Sequence, residues 1–284
     1  MPCQFYSVFL YYNKDLLKKS GFDAPPASLE DWESMCQTML DKGQQPMSLG
    51  EKDVWRAGHF FNNLIMKSYG AQAVQDLADR KLKYDGPEML KLYGIIKEFN
   101  DKGFFGPNAV GVDVNTEDSD FLNNKTAMRF NGTWFIPQIV AGYQGDISNI
   151  GIARFPYINE AYKDSYQGGT AEAYSISNRE GTVDASIEVV KYLTSQEFFK
   201  GAEAYCKGGV YAVNFESDPS VTIDHLTTDA KALLAEGKEF RDDVQTYDTE
   251  SHMLDTVRAA LQGLFIGNTP EQCGAEIVAK IQNK

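Results

Sequence analysis

Apolar residues recur along this chain with two different periods, and the switches between them predict an alternation of strands and helices. Residues 4–12, inside "QFYSVFLYY", read as a strand at the very start of the sequence. "KDLLKKSG" reads as a short helix that ends at Gly21. Pro25 and Pro26 then interrupt the chain, and Ser28 with Asp31 makes a capping box. Leu29, Trp32, Met35, Cys36, Met39 and Leu40 follow as one apolar helical stripe. Further helices are predicted over about 53–69, with Phe60, Phe61, Leu64 and Ile65, and over 87–100, opened by Pro87.

The middle of the chain is patterned differently. "DSDFLNNK" reads as a short helix, "TAMRFNG" as a strand and "TWFIPQIVAG" as a helix directly after it. "NIGIARFP" and "AEAYSIS" read as two more strands, parted by a polar loop with Gly168 and Gly169. Helices follow at about 182–194, 196–206, 227–236, 250–265 and 270–282, the last opened by Thr269, Pro270 and Gln272. Strands alternating with helices predict an α/β layered fold with a mixed sheet.

Charge narrows the partners. The 284 residues carry a formal net charge of -13, a surface that repels nucleic acid and anionic membranes. No apolar run approaches the roughly 20 residues that span a bilayer. No basic n-region with an h-region precedes the first strand, so no signal peptide is visible. Cys3, Cys36, Cys206 and Cys273 show no C-x-x-C or Cys/His metal spacing, and Cys36 and Cys273 sit inside helical patterns as buried thiols. Neither a metal nor another cofactor is expected.

Catalytic signatures are missing too. No G-x-S-x-G, P-loop, G-x-G-x-x-G or H-E-x-x-H occurs. The 40 acidic residues leave a glycosidase-like carboxylate pair open, but nothing singles one out. The chain is instead rich in Tyr (15) and Phe (17), with three Trp. An aromatic face packs against the C–H face of a pyranose while carboxylates and amides take its hydroxyls; the competing reading is that most of these rings are core. Trp32 falls on an apolar helical stripe and reads as core. Trp134 follows Gly132 at a strand-to-helix turn, where side chains of α/β folds face a cleft.

These same stretches carry a resemblance. "LYYNKDLLKKSGFDAPPASLEDW" resembles the crossover segment of the extracellular solute-binding proteins of sugar-type ABC importers, the maltose-binding-protein-like family. "FLNNKTAMRFNGTWFIPQI" is similar to that family's F-x-x-G-x-x-A-M-x-x-x-G-x-W, with Asn124 in place of the usual Gly. "IGIARFPYI" with "GGTAEAYSISN" resembles the strand pair that leads back to the hinge. "VVKYLTSQEFFKGAEAYCKGGVYAV" resembles the family's F-L-x-x-L-x-S-x-E segment, with Tyr211 where Pro is usual.

The resemblance implies a periplasmic-binding-protein type II fold with its C-terminal lobe essentially complete and its N-terminal lobe largely missing, because in this family the "YYNKDL" strand comes only after most of the N-terminal lobe. It implies residues 1–172 as the first part of the C-terminal lobe, starting at the hinge. Residues 173–240 would cross the hinge and give helices to the N-terminal lobe, and 241–284 would finish the C-terminal lobe. It further implies an extracytoplasmic substrate-binding component, a lipoprotein or periplasmic protein. This would bind a mono- or oligosaccharide between two lobes and deliver it to a membrane permease, with no catalysis. A non-sugar solute (peptide, polyamine or metal chelate) and a carbohydrate-active enzyme are the alternatives. By motif position the ligand-binding candidates are Trp134, Trp55, Asp53, Gly168, Gly169, Glu172, Tyr247, Asp248, Glu250 and Arg258. Leu254 stands where the family's maltodextrin binder has a tryptophan, which argues against maltodextrin itself.

Overall fold

The structure is a computed structural model that describes residues 2–250 and 252–282. Its spine is the first strand. β1 (Pro2–Asn13) is followed by helices α1 (Lys14–Ser20), α2 (Leu29–Asp41), α3 (Arg56–Tyr69), α4 (Ala71–Ala78), α5 (Pro87–Asp101) and α6 (Val114–Leu122). Next come β2 (Met128–Gly132), α7 (Ile136–Gly142), β3 (Ile150–Ala153) and β4 (Ser165–Ala173). The remainder is α8 (Val183–Leu193), α9 (Gln196–Cys206), α10 (His225–Ala235), β5 (Glu239–Arg241), α11 (Val244–Tyr247), α12 (Met253–Gly263) and α13 (Pro270–Gln282).

β1 is long enough to serve several neighbours. Along one edge its second half pairs antiparallel with β2, Val8 opposite Gly132 and Tyr12 opposite Met128. On the other edge Leu10–Asn13 pair with β3, and Pro2–Ser7 pair with β4. β4 then pairs in parallel with β5, which makes the sheet mixed. Both faces of β1 are covered. Val8 and Leu10 enter one apolar cluster with Phe60, Leu64 and Phe130, while Phe9 and Tyr11 enter a second with Phe121, Phe135, Ile139 and Leu226. Burial on both sides explains why "SVFLYY" is a continuous apolar run rather than an alternating one.

Several capping signals are realised. The Ser28 hydroxyl accepts from the Asp31 N–H and donates to its carboxylate. Ahead of α13 the Thr269 hydroxyl accepts from the Gln272 N–H, and Gln272 Oε1 accepts from the Thr269 N–H, a reciprocal capping box. Trp32 packs against Phe99 and Phe104 in the core. Cys36 and Cys273 are fully buried thiols. Among the described residues no helix is long and apolar enough to cross a membrane.

One strand lies elsewhere than its pattern predicts. β4 is "SYQGGTAEA", so Gly168 and Gly169 lie inside the strand, opposite Ser7 and Tyr6, and Tyr174–Ser177 lie beyond its end. The reason is close approach: a Cβ on Gly168 would stand 2.5 Å from the Tyr6 carbonyl oxygen. Gly168→Ala is therefore expected to lower stability by about 1–3 kcal/mol through forced backbone movement. Gly94 sits inside α5 with nothing within 4 Å of its added Cβ. Gly94→Ala is expected to raise stability by about 0.5–1 kcal/mol. Urea melts of the two variants check the opposite signs.

The segment after β4 divides in two. α8 buries no residue and α9 buries only Phe199 and Glu203, leaving Val189 and Tyr192 more than half exposed. α10 returns to the sheet and packs Leu226 and Ala230 beside Phe9 and Tyr11. The sequence reading groups α10 with α8 and α9; in its contacts it is an element of the sheet layer.

Candidate functional site

Two tryptophans come together beside the middle of β1. Gly132 ends β2, and Trp134 sits in the single 3₁₀ turn, Thr133–Phe135, between it and α7. Trp55 occupies the N-cap position of α3, after a short turn at Glu51–Asp53. Both rings are partly exposed, and their centroids are 6.4 Å apart. Tyr6 of β1 lies 5.5 Å from Trp134, and His59, one helical turn after Trp55, meets the Trp55 ring edge-on at 5.2 Å. Tyr6 and His59 are themselves buried. The result is an aromatic floor with two open rings, held from below by two closed ones. A cavity of about 120 Å³ borders Tyr6, Thr133 and Trp134, its far wall made by Cys206 and the Gly208–Tyr211 stretch.

Polar groups converge beside the rings. The Tyr6 hydroxyl donates to Asp242, just past β5. Asp243 accepts from Gln167 of β4 and, at 2.8 Å, from Asn62 Nδ2 of α3. It also lies 3.3 Å from Arg258 Nη2 of α12 and 3.5 Å from His59 Nδ1. Arg258 can approach because α3 carries Gly58 beneath it, whose added Cβ would stand 3.3 Å from Arg258 Cγ. Burial lowers the His59 pKa from its ordinary value, and the charges of Arg56 and Arg258 act the same way; the Asp243 carboxylate opposes them. Burial also raises Asp242 above the usual carboxylate range and raises the Tyr6 phenol. The site thus offers a carboxylate, a guanidinium, a phenol and two partly open rings, a donor and acceptor set suited to hydroxyl groups on an apolar body. Among the described residues no group of His, Cys, Asp or Glu could hold a metal ion.

The remaining candidates scatter around this centre. Asp53 turns away, its Oδ2 accepting from the Val114 N–H at 2.7 Å and so tying the turn before Trp55 to α6. Gly169 places its backbone against Asp242, 3.5 Å from where a Cβ would stand. Glu172 is opposite Gln4 on β4, and its side chain lies outside the described residues. The Tyr247 hydroxyl accepts from the Asp242 N–H at 3.2 Å, next to the polar cluster. Asp248 is gripped by both Arg80 nitrogens at 2.6 and 3.0 Å, with its side chain fully buried, which is a structural tie. The Glu250 carbonyl accepts from the Met253 N–H at the entry to α12, and its carboxylate lies 3.9 Å from His252. Tyr6, His59, Gln167, Asp242 and Asp243 are absent from the sequence-derived set; their only local signal is the Asp doublet closing β5.

The turn that carries Trp55 also holds a titratable group. Glu51 is fully buried, and its carboxylate accepts from the Ala57 N–H in the first turn of α3 at 2.7 Å. Burial raises this carboxyl to about 8, against an ordinary 4.5. The folded state keeps the proton through a window in which the unfolded chain has lost it, so stability falls as pH rises from about 4.5 to about 8. Glu51→Gln removes that contribution. Its melting temperature is expected to gain on that of the parent between about pH 5 and about pH 8; a pH-independent difference would show that Glu51 ionises normally.

Comparison with known proteins places this chain in a family. The chain resembles the solved "Chitin oligosaccharide binding protein" with a TM-score of 0.89 at 21% identity, covering 100% of this chain and 70% of that one. A structure from work on xylan utilization by the thermophilic bacterium Caldanaerobius polysaccharolyticus gives a TM-score of 0.89 at 22% identity, covering 99% and 72%. The solute-binding protein RafE in complex with raffinose gives 0.78 at 18% identity, covering 98% and 71%. At these identities the likeness establishes the fold, an α/β solute-binding-protein fold. The family profile described as "Bacterial extracellular solute-binding protein" matches residues 1–198, well over half of the sequence, and the chain belongs to that family.

Proposed function

We propose that this chain binds a carbohydrate on the Trp134–Trp55 floor and serves as the substrate-binding component of an ABC importer, handing its ligand to a membrane permease without chemical turnover. The observation that carries this reading is the pairing of two partly exposed indoles, 6.4 Å apart, with the Asp243–Arg258 pair and the Tyr6–Asp242 bond beside them. The indoles take the C–H face of a sugar ring. Arg258, Asp243, Asp242 and Tyr247 take its hydroxyls, in a setting already ordered by hydrogen bonds before the ligand arrives. The naming of solved neighbours for chitin oligosaccharide, xylan utilization and raffinose supports an oligosaccharide rather than another solute.

Binding of this kind uses closure of two lobes about a hinge. In this reading 1–172 and the stretch from α10 onward contribute to one lobe, and the segment that carries α8 and α9 crosses to the other. The half-exposed apolar side chains of α8 and the approach of Gly208–Tyr211 to Trp134 support that crossing. The family's extracellular character supports a location outside the cytoplasmic membrane, on the cell surface or in the periplasm.

A thermal-shift screen of the protein against β-linked and α-linked oligosaccharides, with spermidine as the cationic comparison, tests the reading. At a concentration 100 times Kd, a ligand of the native state adds about 2.7 kcal/mol of stability, a shift easily seen. Stabilisation by one sugar series is expected. Stabilisation by spermidine alone would transfer the site to a polyamine, with Asp242 and Asp243 as its counter-charges. Release of shorter sugars on incubation would make the protein an enzyme.

A further inference from the structure

Trp55 and Trp134 come from different elements, so something must set their separation. The residue after Trp55 does so. Arg56 is fully buried, and its guanidinium carbon lies 4.6 Å from the Trp55 ring centroid. Its Nε and Nη2 donate to the two oxygens of Glu117 at 2.9 and 3.1 Å, a bidentate grip. Nη2 also donates to the carbonyl of Phe130, in the strand that ends just before Trp134. Glu117 in turn accepts from the Gly50 N–H at 2.8 Å, at the start of the turn leading to Trp55. One cationic group thus lies over the first indole and is bonded to the strand that delivers the second.

We propose that Arg56 is a positioning residue for ligand binding, a clamp that fixes the Trp55 ring relative to Trp134. This rests on the reading of the two indoles as the ligand floor. Lysine cannot replace the clamp. Its ammonium is a point charge on a flexible stem, without the fork that meets Glu117 with two parallel bonds. Arg56 touches no ligand and works only through Trp55.

A double-mutant cycle with a fluorescence arm tests this. In the parent, Arg56→Lys is expected to weaken binding of the sugar selected by the thermal-shift screen about tenfold. In a Trp55→Phe background, where the indole is gone, the same change is expected to cost less than about twofold. An equal loss in both backgrounds would overturn the proposal. In a Trp134→Phe background, Trp55 is the only partly exposed indole, because Trp32 is closed in the core. There Arg56→Lys is expected to raise acrylamide quenching of Trp55 emission about twofold, and unchanged quenching would overturn the clamp. The quenching arm needs no ligand, so a protein that binds no sugar refutes the ligand reading while the clamp is still decided. Should Arg56→Lys not fold, Glu117→Gln, which keeps Arg56 but weakens its anchor, is expected to raise quenching in the same direction; no increase would count against the proposal.

Discussion

Replacing Trp134 with alanine is expected to weaken carbohydrate binding by about 1–3 kcal/mol, or about 5- to 150-fold, with only a few degrees lost in melting temperature. The geometry sets both halves of this expectation. The Trp134 ring is partly exposed at the mouth of a cavity, so part of its face is open to a ligand. Trp134 packs against both apolar clusters without being buried in either; its ring neighbours are Tyr6 of the first cluster at 5.5 Å and His59 at 5.9 Å. Isothermal titration beside thermal melting of the same samples decides the matter. A large drop in stability with affinity intact in the folded fraction would make Trp134 a packing residue. Trp32→Ala supplies the contrast, since Trp32 is 2% exposed and its loss opens a core cavity at a cost of about 3–5 kcal/mol.

A loss of stability as large as that of Trp32→Ala is expected from Arg129. Its guanidinium is buried and donates from Nε to Asp118 at 2.8 Å and from Nη1 to the Phe130 carbonyl at 2.8 Å, while also bonding Glu117. Arg56 supplies the second cation of the same closed group. Arg129→Ala leaves Glu117 with Arg56 alone and takes the ion-pair partner from the buried Asp118, and removing one partner of such a network costs about 3–5 kcal/mol. Lys191→Ala removes an ion pair with Glu188 in which both side chains are about two-thirds exposed or more, and is expected to cost less than about 1 kcal/mol. Denaturant titration of both variants checks the ranking; equal effects would mean that the buried group is not the fastener of α3, α6 and β2.

The elements legible in the sequence are those whose signals are local. The Ser28 and Thr269 caps, the apolar stripe of α2 and the Gly132 turn into Trp134 all depend on residues a few positions apart, and each appears where its pattern places it. β4 lies earlier than its pattern predicts because its two glycines read as a loop, whereas their missing side chains serve a strand more than 150 residues earlier in the chain. α4 has no counterpart in the pattern, for a helix of eight residues leaves a faint period. The site divides along the same line. Trp55 and Trp134 carry motif signals. Tyr6, Gln167 and Asp243 gain their meaning only from one another, across β1, β4 and the end of β5, and no spacing along the chain announces that.

The strand at the centre of the sheet is synthesised long before the strands that pair with it. Val8 must wait for Gly132, and Ser7 for Gly168, before either has a hydrogen-bonded neighbour. At translation rates of about 5–20 residues per second, the wait for β2 alone is on the order of 6–25 s, during which "SVFLYY" lacks every strand partner it has in the sheet. A nascent chain built this way cannot complete its sheet early, and its long-range pairing keeps folding slow after release. The layout makes β1, whose apolar run is buried on both faces once its partners arrive, the stretch most in need of a chaperone's cover while they are still unmade.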